Sequence, residues 1–112
     1  MKLVTAIVQP SKLADVQVAL AMHGVSGMTI SEASGYARQH GHSEIYRGEE
    51  FTIDFVLKVR LEILTPDADV EAIVGTMVKA ARTGEVGDGK VWVTPIDSVV
   101  RVRTGETGDA AV

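Results

Sequence analysis

Between Phe55 and Leu64 the apolar side chains fall on every second residue, and between Val70 and Ala81 on every third or fourth. A period of two belongs to a strand and a period near 3.6 to a helix, so the chain passes from one to the other across Thr65-Pro66-Asp67. In the strand, Phe55, Leu57, Val59, Leu61 and Ile63 form one face, and Val56, Lys58, Arg60, Glu62 and Leu64 the other. The first is a core face. The second carries three charges at alternate positions, read either as a solvated sheet surface or as the lining of a site. In the helix, Val70, Ile73, Val74, Met77, Val78 and Ala81 make the apolar stripe, Asp67 is the expected N-cap, and Gly84 the expected stop.

An earlier strand-helix-strand passage has the same plan. Lys2–Val8 is short, apolar and β-branched and ends at Gln9-Pro10; Ser11 is the expected N-cap of a helix with Leu13, Val16 and Leu20 on its buried side; Gly24 closes it. Met28 and Ile30 then alternate with Thr29 and Ser31 in a second strand. After the second helix come Val91–Thr94 and a last expected strand over Val99–Arg103, then a polar tail from Thr104 expected to be mobile. Trp92 and Met77 read as core. Two helices cover one face of a four-stranded sheet, so the expected class is α+β, a ferredoxin-like βαββαβ sandwich in one domain over 1–112. The sheet's other face would leave apolar side chains in contact with water, which predicts self-association.

Composition limits the functions available. Hydrophobic residues make up 46% and charged residues 23%, a globular balance, and the net charge of −4 argues against a nucleic-acid partner. The absence of cysteine excludes thiolate chemistry and disulfides, no apolar run is long enough to cross a membrane, and a cytoplasmic protein is expected. Neither a Ser-His-Asp set nor a carboxylate pair stands out, so the chain does not read as an enzyme.

Two stretches remain that the sandwich does not use. The first, about 37–55, joins the second and third strands and is far longer than a hairpin connection; its mix of Arg38, Gln39, Glu44 and Arg47 with Ile45, Tyr46 and Phe51 suits docking on a partner. His40 and His42 lie there without a third ligand at metal spacing. The second, about 82–90, holds Gly84, Gly87 and Gly89 with Lys90, where backbone amides can approach a phosphate; a plain Gly-Asp-Gly turn is the simpler alternative. Arg101 and Arg103, two apart on an expected strand, would share a face and could grip a polyphosphate.

Gly27-Met-Thr29, Gly35-Tyr36, Arg38-Gln39, Gly41-His42, Tyr46-Arg47-Gly48, Lys58, Thr83-Gly84, Gly87-Asp-Gly-Lys90 and Arg101-Val-Arg-Thr-Gly-Glu106 occur in the order in which the PII nitrogen-regulatory signal-transduction family carries them. The chain resembles that family, in the manner of its actinobacterial members, over essentially its whole length. The resemblance implies a homotrimer with ATP or ADP in clefts between subunits and 2-oxoglutarate bound through Mg2+. It implies nucleotide contacts from Thr29, Gly35, Arg38, Glu62, Leu64, Gly87, Asp88, Gly89, Lys90, Arg101 and Arg103. For 2-oxoglutarate it implies Arg38, Gln39, His40, Gly41 and Lys58, with Gln39 on the metal. Partner contacts through Tyr46, Arg47, Gly48 and Phe51 would engage an ammonium transporter or a nitrogen-assimilation enzyme, so that the membrane is met only through a transporter; control of another pathway, such as inorganic carbon transport, is the alternative. Where such chains carry a modifiable tyrosine this one has Phe51, which lacks the hydroxyl a nucleotidyl group needs. Gln9 and Ser11 stand in place of a lysine and a phenylalanine, His40 in place of a lysine and Leu57 in place of a proline.

Overall fold

In the computed structural model, described over residues 1–36, 42–46, 49–53 and 55–112 (for Tyr36, 42–46 and 49–53 the backbone alone), the β-branched run Lys2–Val8 is strand β1. Helix α1 (Leu13–Met22), β2 (Thr29–Tyr36), β3 (His42–Tyr46), β4 (Glu49–Ile53), β5 (Phe55–Thr65), α2 (Val70–Ala81) and β6 (Gly89–Pro95) follow. The main sheet is antiparallel throughout, in the order β2-β5-β1-β6. Each strand-helix-strand unit therefore straddles a strand of the other, which is the expected ferredoxin-like sandwich.

The pleat decides which residues are core. Val4, Ala6 and Val8 stand opposite Ile63, Leu61 and Val59, and all six are buried under the helices. Val16 and Leu20 from α1 and Ile73, Met77 and Ala81 from α2 close the layer, as their helical spacing predicts. Phe55 and Leu57 continue the core face of β5 but are exposed, at the end of the strand beyond the buried run. Among the described residues no α-helix covers the opposite face of the sheet. There Arg60 pairs with Glu62 at 3.3 Å and its guanidinium lies 5.9 Å from the centre of the Trp92 ring. Trp92, expected in the core, is 40% exposed because its register partner Thr5, not Val4 or Ala6, places it on this side.

The helix starts differ from expectation. Pro10–Lys12 and Asp67–Asp69 form short 3-10 turns ahead of α1 and α2, so neither Ser11 nor Asp67 caps an α-helix. Pro10 sets the first turn, and the Asp67 carboxylate instead receives the Met1 ammonium at 2.6 Å. Gly24 closes α1 with φ +92, whereas α2 ends when Arg82 turns extended, before Gly84. The stretch expected as one long loop contains a two-stranded ribbon, β3 paired with β4 from His42↔Ile53 to Tyr46↔Glu49. Its β-branched and aromatic content explains the pairing.

The strand expected over Val99–Arg103 is absent. The place beside β1 is taken by β6, and Val99–Arg103 instead leads into a turn. A lone bridge joins Val100 to Thr107, and the Arg101 amide and carbonyl bond to Glu106 and Gly105. Gly108–Ala111 then forms a 3-10 turn in the tail expected to be mobile.

Candidate functional site: a glycine loop and a cleft at opposite ends of one sheet

The sheet register places the expected site residues in two groups. Gly89 pairs with Val8 at one end of β1, while Leu64 and Thr94 flank Leu3 near the other. Five residue steps of strand, roughly 17 Å, separate these two levels.

At the first end the chain leaves α2 and folds into the glycine loop, Thr83–Lys90. Gly87 and Gly89 have φ of +102 and +104, which only glycine adopts without strain. A Cβ on Gly89 would also lie 1.7 Å from the Ile7 carbonyl oxygen, so the loop presses directly on β1. Asp88 points back into the loop. Its carboxylate accepts from the Thr83 amide at 2.8 Å, the Thr83 hydroxyl at 2.5 Å and the Gly84 amide at 2.8 Å, and from the Gln9 side chain at 3.4 Å. The Thr83 hydroxyl first, then the two amides, hold the Asp88 carboxyl below the ordinary aspartate value.

Lys58 rises from β5 under this loop, with 8% of its surface exposed, and its ammonium donates to the Gly87 carbonyl. Of the two sequence readings of its face of β5, a solvated surface or the lining of a site, the first fails for Lys58, which is buried against the glycine loop. Among the described residues no carboxylate pairs with Lys58. A buried ammonium beside one neutral oxygen leaves two donors for an anion. Gly35 lies close by: a Cβ there would touch Lys58 at 3.6 Å. Lys90 is exposed beside Ile7.

At the other end lies a cleft of about 830 Å3, and Thr29, Glu62 and Leu64 all line it. Its wall also includes His23, Asp69 and Gly27-Met28 of the Gly27-Met-Thr29 motif, and three tail residues that the sequence did not single out, Asp109, Ala111 and Val112. The only signals for the tail were the Thr104-Gly105 turn and the acidic start at Asp109. Three carboxylates, Glu62, Asp69 and Asp109, make this wall suited to a base or a sugar hydroxyl and unsuited to phosphate.

Arg101 and Arg103 do not share a strand face as expected, since Val102–Thr104 is a turn. Arg101 pairs with Glu106 at 3.0 Å, and Arg103 is exposed with no ion pair among the described residues. Arg38, Gln39, His40, Gly41, Arg47 and Gly48 lie outside the described residues; Tyr46 and Phe51 fall on β3 and β4. No cluster of metal-ligating side chains occurs among the described residues, and no helix there is long and apolar enough to cross a membrane.

Comparison with known proteins gives one consistent result. A family model described as "Nitrogen regulatory protein P-II" matches residues 1–106. The chain is 49% identical over 112 residues to nitrogen regulatory protein P-II 1 of Escherichia coli, covering 100% of both chains. It is also 49% identical over 112 residues to nitrogen regulatory protein P-II of Synechocystis sp., again covering 100% of both. Among solved structures, PII of Arabidopsis thaliana bound to citrate superposes with a TM-score of 0.82 at 38% identity, over 99% of this chain and 91% of that one.

Proposed function

Because the chain belongs to the P-II family of nitrogen regulatory proteins, we propose that it is a non-enzymatic cytoplasmic sensor of nucleotide and 2-oxoglutarate that signals by binding other proteins. The observation that carries this reading is the buried Lys58 ammonium, unmatched by a carboxylate among the described residues and bonded to the glycine loop at Gly87. It supplies a place for a carboxylate and a direct mechanical link from that carboxylate to the phosphate loop. The Arabidopsis relative binds citrate, a small polycarboxylate of the same chemical class as 2-oxoglutarate.

In this reading the amides of Gly87–Lys90 and the Lys90 ammonium take the phosphates of ATP or ADP, and Thr29, Glu62 and Leu64 take the base and ribose. One sheet holds these two groups at opposite ends, so a nucleotide is enclosed only when the glycine loop of one chain meets the cleft of another. A homotrimer closes three such sites by rotation. Arg101 and Arg103, in and beside the turn that comes after β6, would reach the phosphates from the neighbouring chain. Gly35 and Arg38 complete the nucleotide set. Gln39 would hold Mg2+, and Arg38, His40, Gly41 and Lys58 would hold 2-oxoglutarate. A dianion beside a triphosphate needs a cation between them, so effector binding depends on both ATP and Mg2+. Segment 37–55 then presents Tyr46, Arg47, Gly48 and Phe51 to an ammonium transporter or a nitrogen-assimilation enzyme according to the ligand held.

Calorimetry tests the reading. Heat of 2-oxoglutarate binding is expected only after ATP and Mg2+ are present, and light scattering is expected to give three times the 11.9 kDa chain mass. A monomer at micromolar concentration, or 2-oxoglutarate binding without nucleotide, overturns it.

A further inference from the structure

We propose that Gln9 is a positioning residue for the phosphate loop, the donor that completes the shell around the Asp88 carboxylate and so couples the end of β1 to the loop's shape. The inference rests on the functional reading above and deepens it, since it concerns the loop assigned to phosphate.

A carboxylate offers about four acceptor positions on its two oxygens. On Asp88 all of them are taken: Oδ2 by the amides of Thr83 and Gly84, Oδ1 by the Thr83 hydroxyl and the Gln9 Nε2. Asp88 therefore has no lone pair left for a metal ion or a sugar hydroxyl. Its charge is spent inside the loop, which resolves an apparent conflict: a carboxylate beside a phosphate site would repel the ligand unless its charge were matched by donors. Three of those donors come from the loop itself. The fourth alone comes from outside, 79 residues away in sequence, and at 3.4 Å it is the longest of the set.

The location of Gln9 adds a second consequence. It follows Val8, the strand residue that pairs with Gly89, and it precedes the Pro10 turn that opens α1. A shift of the loop away from β1 must stretch the Gln9–Asp88 contact before it disturbs the shorter three. Position 9 is thus the point where the sandwich reaches the Asp88 carboxylate, beside the backbone tie that Lys58 makes to Gly87. A lysine there would satisfy the same carboxylate with a full charge; an amide does so without adding a cation beside the anion site, which makes Gln9 a determinant of how strongly the loop draws polyphosphate.

The test compares wild type, Gln9→Lys, Gln9→Ala and Gln9→Glu in the full chain, by ATP calorimetry and by hydrogen exchange at the Thr83 and Gly84 amides without ligand. Gln9→Lys, which keeps a donor, is expected to preserve amide protection and to bind ATP at least as tightly. Gln9→Ala should lower protection and weaken ATP about threefold, the effect of one hydrogen bond. Gln9→Glu, which sets a second carboxylate against the first, should weaken ATP by about tenfold or more and lower protection furthest. Asp88→Asn is the independent arm, expected to lower protection at both amides while core amides of α2 and β5 exchange as in wild type. Equal affinity and equal protection across the position 9 series overturns the proposal. The exchange ranking alone, with no ATP binding by wild type, supports the brace and overturns the nucleotide reading instead.

Discussion

Lys58 and Gly87 stand 29 residues apart and are joined by a hydrogen bond from the ammonium of one to the carbonyl of the other. The bond ties the central part of the sheet to the backbone of the glycine loop. A ligand that drew the ammonium away would release that carbonyl, and a ligand that ordered the loop would fix the ammonium in place. If Lys58 holds a carboxylate and the loop a nucleotide, as proposed, one hydrogen bond separates the two ligands.

Lys58→Met keeps the aliphatic stem and removes the charge. We expect loss of 2-oxoglutarate binding and a weakening of ATP by about 1 kcal/mol, from the lost bond to Gly87. Paired calorimetric titrations check this; an unchanged 2-oxoglutarate affinity would assign the carboxylate site elsewhere.

Gly89→Ala and Gly84→Ala separate steric from conformational effects. Both positions have positive φ, but a Cβ at Gly89 meets the Ile7 carbonyl at 1.7 Å and one at Gly84 meets nothing within 4 Å. Urea denaturation should show a loss of about 1 kcal/mol for Gly84→Ala and about 3 kcal/mol or more for Gly89→Ala. Similar losses at both would mean that β6 shifts away from β1 without resistance.

Acid should loosen the protein at two named carboxylates. The carboxyls of Asp67, beside the Met1 ammonium, and Asp88, under the Thr83 hydroxyl, are both held below the ordinary aspartate value. A lowered folded value means that the unfolded chain binds protons more readily. The stabilisation is complete above the unfolded aspartate value of about 3.9 and is lost as pH falls through the lower folded one. Asp67→Asn and Asp88→Asn should each flatten the acid limb of a stability–pH curve; curves parallel to wild type below pH of about 4 would contradict this.

Phe51, in strand β4, offers no hydroxyl to a nucleotidyl group. Signalling by ligand occupancy alone is expected. Intact mass should stay constant between nitrogen-starved and ammonium-treated cells; a nucleotidyl adduct on Tyr46 that varied with nitrogen supply would contradict it.

The sandwich was legible because its signals are local. The Ile73, Met77 and Ala81 stripe, the alternation through Val59, Leu61 and Ile63, and the Gly24 stop each act within a few residues. What sequence reading missed depends on neighbours distant in the chain. Lys58 is buried by a loop that sits 29 residues further on, and Trp92 is half exposed because of its pairing with Thr5 across a register that alternation cannot supply. Val99–Arg103 has the composition of a strand, but the edge it would join is already held by β6. The β3–β4 ribbon was not legible because its alternation is weak and its two runs are short, although Ile45, Phe51 and Ile53 favour extended backbone. Within the candidate site, family resemblance pointed to the glycine loop, whereas the inward turn of Asp88 and its contact with Gln9 depend on a residue 79 positions away and carry no local signal.

The distance between glycine loop and cleft has a consequence for inheritance and dosage. If every site is shared, a chain with a ruined loop and a chain with a ruined cleft are each inactive in their own assemblies, yet each still supplies the half that the other lacks. Mixed in one cell they would rebuild working junctions wherever a sound loop abuts a sound cleft, and two recessive defects would complement. By the same logic a chain damaged in both halves would poison sound partners on either side, so its effect on the population would exceed its share of the subunits.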